Sequence, residues 1–120
     1  MEKVNIAEKL SLFSEHWSPK IVGELDDYEI KLVKVQGEFV WHKHDDEDEM
    51  FLVIDGELKI DFHDHTETLS SGEFLVVPKG VEHKPHAINE CSALVMERKG
   101  VVNTGDAIPG DLTQDTLDRI

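Results

Sequence analysis

At 120 residues the chain is the size of one domain and long enough to bury a core without disulfides. Acidic residues outnumber basic ones 26 to 12, and the resulting formal charge of −14 repels phosphate backbones and anionic lipid. Nucleic acid and membrane surfaces are thereby excluded as partners, while a 39% hydrophobic share argues for a folded globular protein rather than a disordered acidic tail.

The opening stretch, MEKVNIAEKLSLF, mixes acidic residues among its apolar ones and lacks the apolar core of a signal peptide. No run approaches the roughly 20 apolar residues of a membrane span. Cys91 is the single cysteine, so no disulfide can form within the chain, and a cytoplasmic location is expected. Arg98 and Arg119 are the only arginines, which leaves few donors for clamping an anionic substrate.

Ile6, Leu10, Phe13 and Trp17 recur at helical spacing behind Asn5, a good N-cap, and predict a helix that Pro19 ends. The period then changes. Tyr28–Val35, Met50–Ile54, Leu58–Phe62, Phe74–Val77 and Ala93–Met96 read as short strands separated by turns, the pattern of an all-β sandwich or small barrel. Asp55-Gly56 predicts a tight hairpin, Asp64-His65 a second turn, and Pro78 to Gly80 a type I turn with glycine fourth. We read one domain over residues 1–120: helix and strand within 5–25, barrel core at about 28–98, and an irregular tail over 103–120.

Side chains on a strand alternate, so His42 and His44 face the same way about 6.5 Å apart, close enough to converge on one ion. The Asp55-Gly56 hairpin would pair Val53 with Leu58, Phe51 with Ile60 and Glu49 with Phe62, bringing Glu49 to the inner face. Two imidazoles and a carboxylate form a normal set for a first-row metal, whereas a lone buried glutamate would be costly. Asp45, Asp46, Glu47 and Asp48 read as a solvated loop.

Gly37-x4-His42-x-His44-x4-Glu49-x6-Gly56, followed by Gly72-x5-Pro78-x-Gly80-x2-His83, resembles the paired motifs of the cupin superfamily. The resemblance implies a double-stranded β-helix, a jelly-roll-like barrel, in which His42, His44, Glu49 and His83 bind one divalent ion. Two positions depart from the family pattern: four residues rather than five separate Gly37 from His42, and Ala87 stands where asparagine is common. More closely, the chain is similar to small single-domain bacterial cupins, some described as mannose-6-phosphate-isomerase-like. A shared fold does not transfer a reaction.

Fe, Mn, Ni and Zn all suit three imidazoles and a carboxylate, a set that leaves two octahedral positions open. The expected function is a metal-dependent small-molecule enzyme, an oxygenase or an isomerase, acting on a neutral or chelating substrate. The alternative is a non-catalytic binding or sensing protein with a structural metal. No general acid or base is assigned. His63 and His65 are expected to face solvent, His86 to lie at the rim, His16 to lie outside the motifs, and Cys91 to be a small buried apolar residue. Met50, Leu52 and Ile54 make the reverse face of their strand apolar, with Phe39 and Trp41 also pointing away from His42, and such a face predicts a cover, either the N-terminal helix or a second subunit in a homodimer.

Overall fold

A computed structural model describes residues Met1–Ile120. One short helix, α1 (Ile6–Leu10), precedes seven strands: β1 (Lys20–Leu25), β2 (Tyr28–Glu38), β3 (Glu49–Asp55), β4 (Glu57–Asp61), β5 (Thr66–Ser70), β6 (Phe74–Val77) and β7 (Lys84–Arg98). All pairings between these strands are antiparallel, in the order β1-β2-β7-β3-β6, with β4 joining β7 to β5. The all-β reading with a short opening helix is what the structure contains.

Asn5 caps α1 through its side-chain oxygen, which accepts from the Glu8 amide at 3.0 Å. The helix is much shorter than its apolar periodicity predicts. Trp17 adopts a positive φ of 58°, outside helical space, and the chain has already left the helix when Phe13 turns into the protein.

Strand β7 organises everything else. Along one edge it pairs with β2, from Tyr28 opposite Arg98 to Glu38 opposite His86. Along the other it pairs first with β3, Glu49 opposite Glu97 to Asp55 opposite Ser92, and then with β4, Lys59 opposite His86 to Asp61 opposite Lys84. Strands β3 and β4 thus run end to end beside one partner, so the predicted Asp55-Gly56 hairpin does not form. Gly56 instead marks a corner where both ribbons bend. Its φ is 93°, and a Cβ there would lie 2.9 Å from the Glu90 carbonyl oxygen and 3.1 Å from the Cys91 Cα. Only glycine lets the two corners touch. β2 shifts register at the same level, between Val35 and Gly37, and the three ribbons fold over together into a barrel.

The inward alternation survives the change of partners, because it depends on strand period and not on who pairs with whom. Phe51, Val53, Leu58 and Ile60 are all buried, in one core with Val33, Val35, Leu69, Val77, Ala93 and Val95. Two other turns are displaced by one residue from their predicted places. The β4–β5 turn is closed by the Phe62 amide donating to the His65 carbonyl, which centres it on His63-Asp64 without positive φ. In the other, the Val81 amide donates to the Pro78 carbonyl, so Gly80, with φ 80°, is the third residue, where a type II turn requires glycine.

The reverse face of the sheet is also apolar. Val76, Met50, Met96 and Ile30 stand in one cross-strand row, and Phe74, Leu52, Leu94 and Leu32 in the next. Phe74 and Val76 are exposed, and α1 buries none of its residues, so it is not their cover. Gly56→Ala is expected to lower unfolding stability by about 1–3 kcal/mol through left-handed strain and corner crowding, measurable by urea denaturation; an unchanged midpoint would show that the corner tolerates a side chain.

Candidate metal centre

Residues 39–48 cross the barrel mouth without strand pairing except at His42, which forms a two-way backbone bridge with His83: the His42 amide donates to the His83 carbonyl at 3.0 Å, and the His42 carbonyl accepts from the His83 amide at 2.9 Å. This bridge docks the two halves of the motif. His44 is tied in from its own carbonyl, which accepts from the Gly80 amide at 2.8 Å. Glu49 opens β3 on the inner face, as its alternation with Phe51 and Val53 predicts.

The four residues nominated by sequence, His42, His44, Glu49 and His83, form one buried cluster. Their ligand atoms all lie within 4.8 Å of one another, so the group could hold a metal ion. His42 Nδ1 donates to the Val40 carbonyl and His83 Nδ1 to the Val81 carbonyl, each at 2.9 Å. A neutral imidazole with its proton on Nδ1 presents a lone pair from Nε2. His83 Nε2 faces Glu49 Oε1 at 3.2 Å and His44 Nε2 faces the same oxygen at 3.4 Å. Acceptors this close repel unless a cation, a proton or a metal, lies between them.

Burial, reinforced by His83, pulls the His42 pKa down to about 4. Burial alone would push the Glu49 carboxyl up; the His44 and His83 rings set against it outweigh that and hold the group well below the usual carboxylate range.

A further pair of charged side chains, unassigned by sequence, lies beside the cluster. Glu97 stands directly opposite Glu49 on the neighbouring strand and is buried, and the Lys31 ammonium donates to its Oε1 at 2.9 Å. Burial, then the Glu49 charge, push the Glu97 carboxyl well above its usual range, against the opposing pull of Lys31. The strand predicted over Ala93–Met96 stops one residue short of Glu97. The inward register Ala93, Val95, Glu97 was the available signal, as was Lys31 between Glu29 and Val33.

A cavity of about 50 Å³ adjoins the cluster. Val33, Phe51 and Val95 are among its apolar lining residues, and His42, Glu49, Glu97 and Asn103 are its polar ones. Phe39 lines it too, contrary to the expectation that it points away from His42: the irregular backbone after Glu38 breaks the alternation, and the ring packs edge-on to His42 at 5.4 Å and stacks on Trp17 at 4.7 Å. Trp41 does point outward and stacks on His63. His63 and His65 are solvent-exposed, His86 sits at the rim bonded to Asp61, and His16 pairs with Glu90 away from the centre. Cys91 is fully buried, and burial raises its thiol to about 11, which suits packing and not nucleophilic attack. The C-terminal tail abuts the motif, with Asp106 accepting from the Lys43 amide at 2.8 Å.

Residues 30–97 match the cupin domain family, and the chain belongs to that family. It is 53% identical to a cupin-2 domain protein of Shewanella frigidimarina NCIMB 400, whose crystal structure superposes with a TM-score of 0.79 over 80% of this chain and 94% of that one. The crystal structure of protein NMB1881 from Neisseria meningitidis, at 33% identity, gives 0.75 over 82% of this chain and all of that one. Uncharacterized protein YdbB of Bacillus subtilis (strain 168) is 38% identical over 79 residues, 65% of this chain and 70% of that protein.

Because His42 is neutral when folded and protonates first in the unfolded chain, its stabilising contribution is full above pH 6.5 and is lost as pH falls toward 4. In metal-free protein the stability advantage of wild type over His42→Gln is expected to shrink by about 3 kcal/mol between pH 7 and pH 4 in urea titrations. A pH-independent difference would mean that the ring is not held neutral.

Proposed function

We propose that this cupin is a divalent-metal enzyme acting on a small, largely apolar molecule, with His42, His44, Glu49 and His83 as ligands of one Fe, Mn, Ni or Zn ion. The observation that carries the reading is the approach of His83 and His44 Nε2 to one buried Glu49 oxygen, with the Nδ1 protons of His42 and His83 committed to backbone carbonyls. Imidazole and carboxylate donors suit those ions. When bound, the ion supplies Lewis acidity and open positions for water, dioxygen or a chelating substrate.

The chain's own residues set which substrate is plausible. Val40 and Val81 fix the imidazole tautomers, and Trp17, Phe39 and Phe51 exclude water and offer an apolar seat. An isomerase would need partners for several sugar hydroxyls. Val33, Phe51 and Val95 offer none, Glu97 and Asn103 are the only polar lining residues beyond the four nominated ligands, and each hydroxyl buried without a partner costs about 1–3 kcal/mol. An oxygenase working on a small apolar or aromatic compound fits these walls better. The second reading, a binding or sensing protein whose metal staples the motif halves, is favoured by the size of the cavity: about 50 Å³ holds only about three waters.

Elemental analysis of tag-free protein is expected to find about one divalent ion per chain, with Glu49→Gln and His83→Ala reducing it to near background. Unchanged content in both variants would remove the ligand assignment. Oxygen uptake by the Fe(II) form with catechols, thiols or diketones would establish the oxygenase, whereas ligand-induced thermal shifts without turnover would establish the binder.

We also propose a cytoplasmic homodimer formed through the apolar reverse face, where Phe74 and Val76 extend the rows led by Met50 and Leu52. Light scattering at micromolar concentration is expected to give twice 13.6 kDa, and Phe74→Glu to halve it; a monomeric wild type would rule the dimer out.

A further inference from the structure

We propose that Glu97 is a fifth protein donor of this centre, so that its ion is held by three imidazoles and two carboxylates, with Lys31 as the counter-charge that aims the second carboxylate. The inference rests on the metal reading above and changes what that metal can do.

Two buried side-chain atoms in the molecule have no hydrogen-bond partner, His44 Nε2 and Glu97 Oε2. Their residues are only 5% and 3% exposed, so bulk solvent does not reach them. The two atoms lie 3.9 Å apart. Donors about 2.1 Å from a shared ion sit about 3.0 Å apart when adjacent and about 4.2 Å apart when opposite. The separations of Glu49 Oε1 from His83 and His44, 3.2 and 3.4 Å, lie near the adjacent value, and 3.9 Å lies near the opposite one.

The surroundings of Glu97 point the same way. Two carboxyl groups directly opposite on neighbouring strands repel whenever both are ionised, yet Glu97 faces Glu49 across β7 and β3. Lys31 offsets one of these two carboxylates. It bonds Oε1 at 2.9 Å and lies 3.8 Å from Glu29, which also meets the exposed Arg119 at 3.5 Å. The ammonium therefore engages one oxygen of Glu97 and leaves Oε2 for the cavity. A cation at the cluster would satisfy both orphaned atoms and separate the carboxylates. With five protein donors, one octahedral position remains open, so a substrate would bind through a single atom and bidentate chelation would be blocked.

The test is a crystal structure of the full chain loaded with Mn(II), the ion located by anomalous scattering. We expect a Glu97 oxygen within about 2.2 Å of the ion. An ion held by His42, His44, Glu49 and His83 with Glu97 more than about 3 Å away would overturn the inference and leave the metal reading standing; no ion at those four residues would overturn both. In solution, Glu97→Gln is expected to weaken Mn(II) at least tenfold and to change the visible absorption of the Co(II) form, a signature of ligand number that a purely structural role would leave alone. An unchanged Co(II) spectrum would overturn the proposal.

Discussion

Two backbone hydrogen bonds, exchanged between His42 and His83, carry more of this protein's organisation than their number suggests. The segment from Phe39 to Asp48 has almost no other regular pairing, so its path across the barrel mouth is set where it meets His83. Without that bridge His42 and His44 would sit on a loose acidic loop. With it, residues from two distant turns are held at one depth, beside a glutamate fixed by strand register. The Gly80 amide bonded to the His44 carbonyl completes the clamp from the second turn.

What the bridge aligns, β7 supports. A single strand of 15 residues serves as the common neighbour of β2, β3 and β4, and it brings Glu97 beside Glu49 and Lys31 within reach of Glu97. The buried charges are thus a property of three adjacent strands, each contributing one or two residues at the same level. Charged side chains in an interior are tolerated when each finds a partner. Here the pairing is incomplete among the protein's own groups, and the incompleteness is confined to His44 and Glu97.

The alternation of apolar and polar residues was legible wherever a strand is regular, which is why Glu49, Phe51, Val53, Leu58 and Ile60 all lie on the inner face as expected. Pairing was not legible. Asp-Gly is a hairpin signal because it tolerates positive φ, and Gly56 does adopt one, but a barrel corner makes the same demand on the backbone. Phe39 was misplaced because alternation was carried past Glu38 into a segment that is not a strand. Of the candidate site, the two histidines and Glu49 could be grouped from spacing, and His83 from motif resemblance. Glu97 and Lys31 were missed because their meaning depends on which strands are neighbours, and one sequence does not disclose that.

The imidazoles of His42 and His83 reach the cluster with their orientation already decided, each ring leashed to a carbonyl two residues upstream. Freezing a side chain costs rotational entropy, and here folding has met that cost before any guest arrives. An incoming ion has little stiffening left to do. Equally, it would have little freedom to rearrange those two rings, so a cage of such fixed spacing would discriminate among ions by their tolerance of it, and strength of attraction to imidazole in bulk water would count for less.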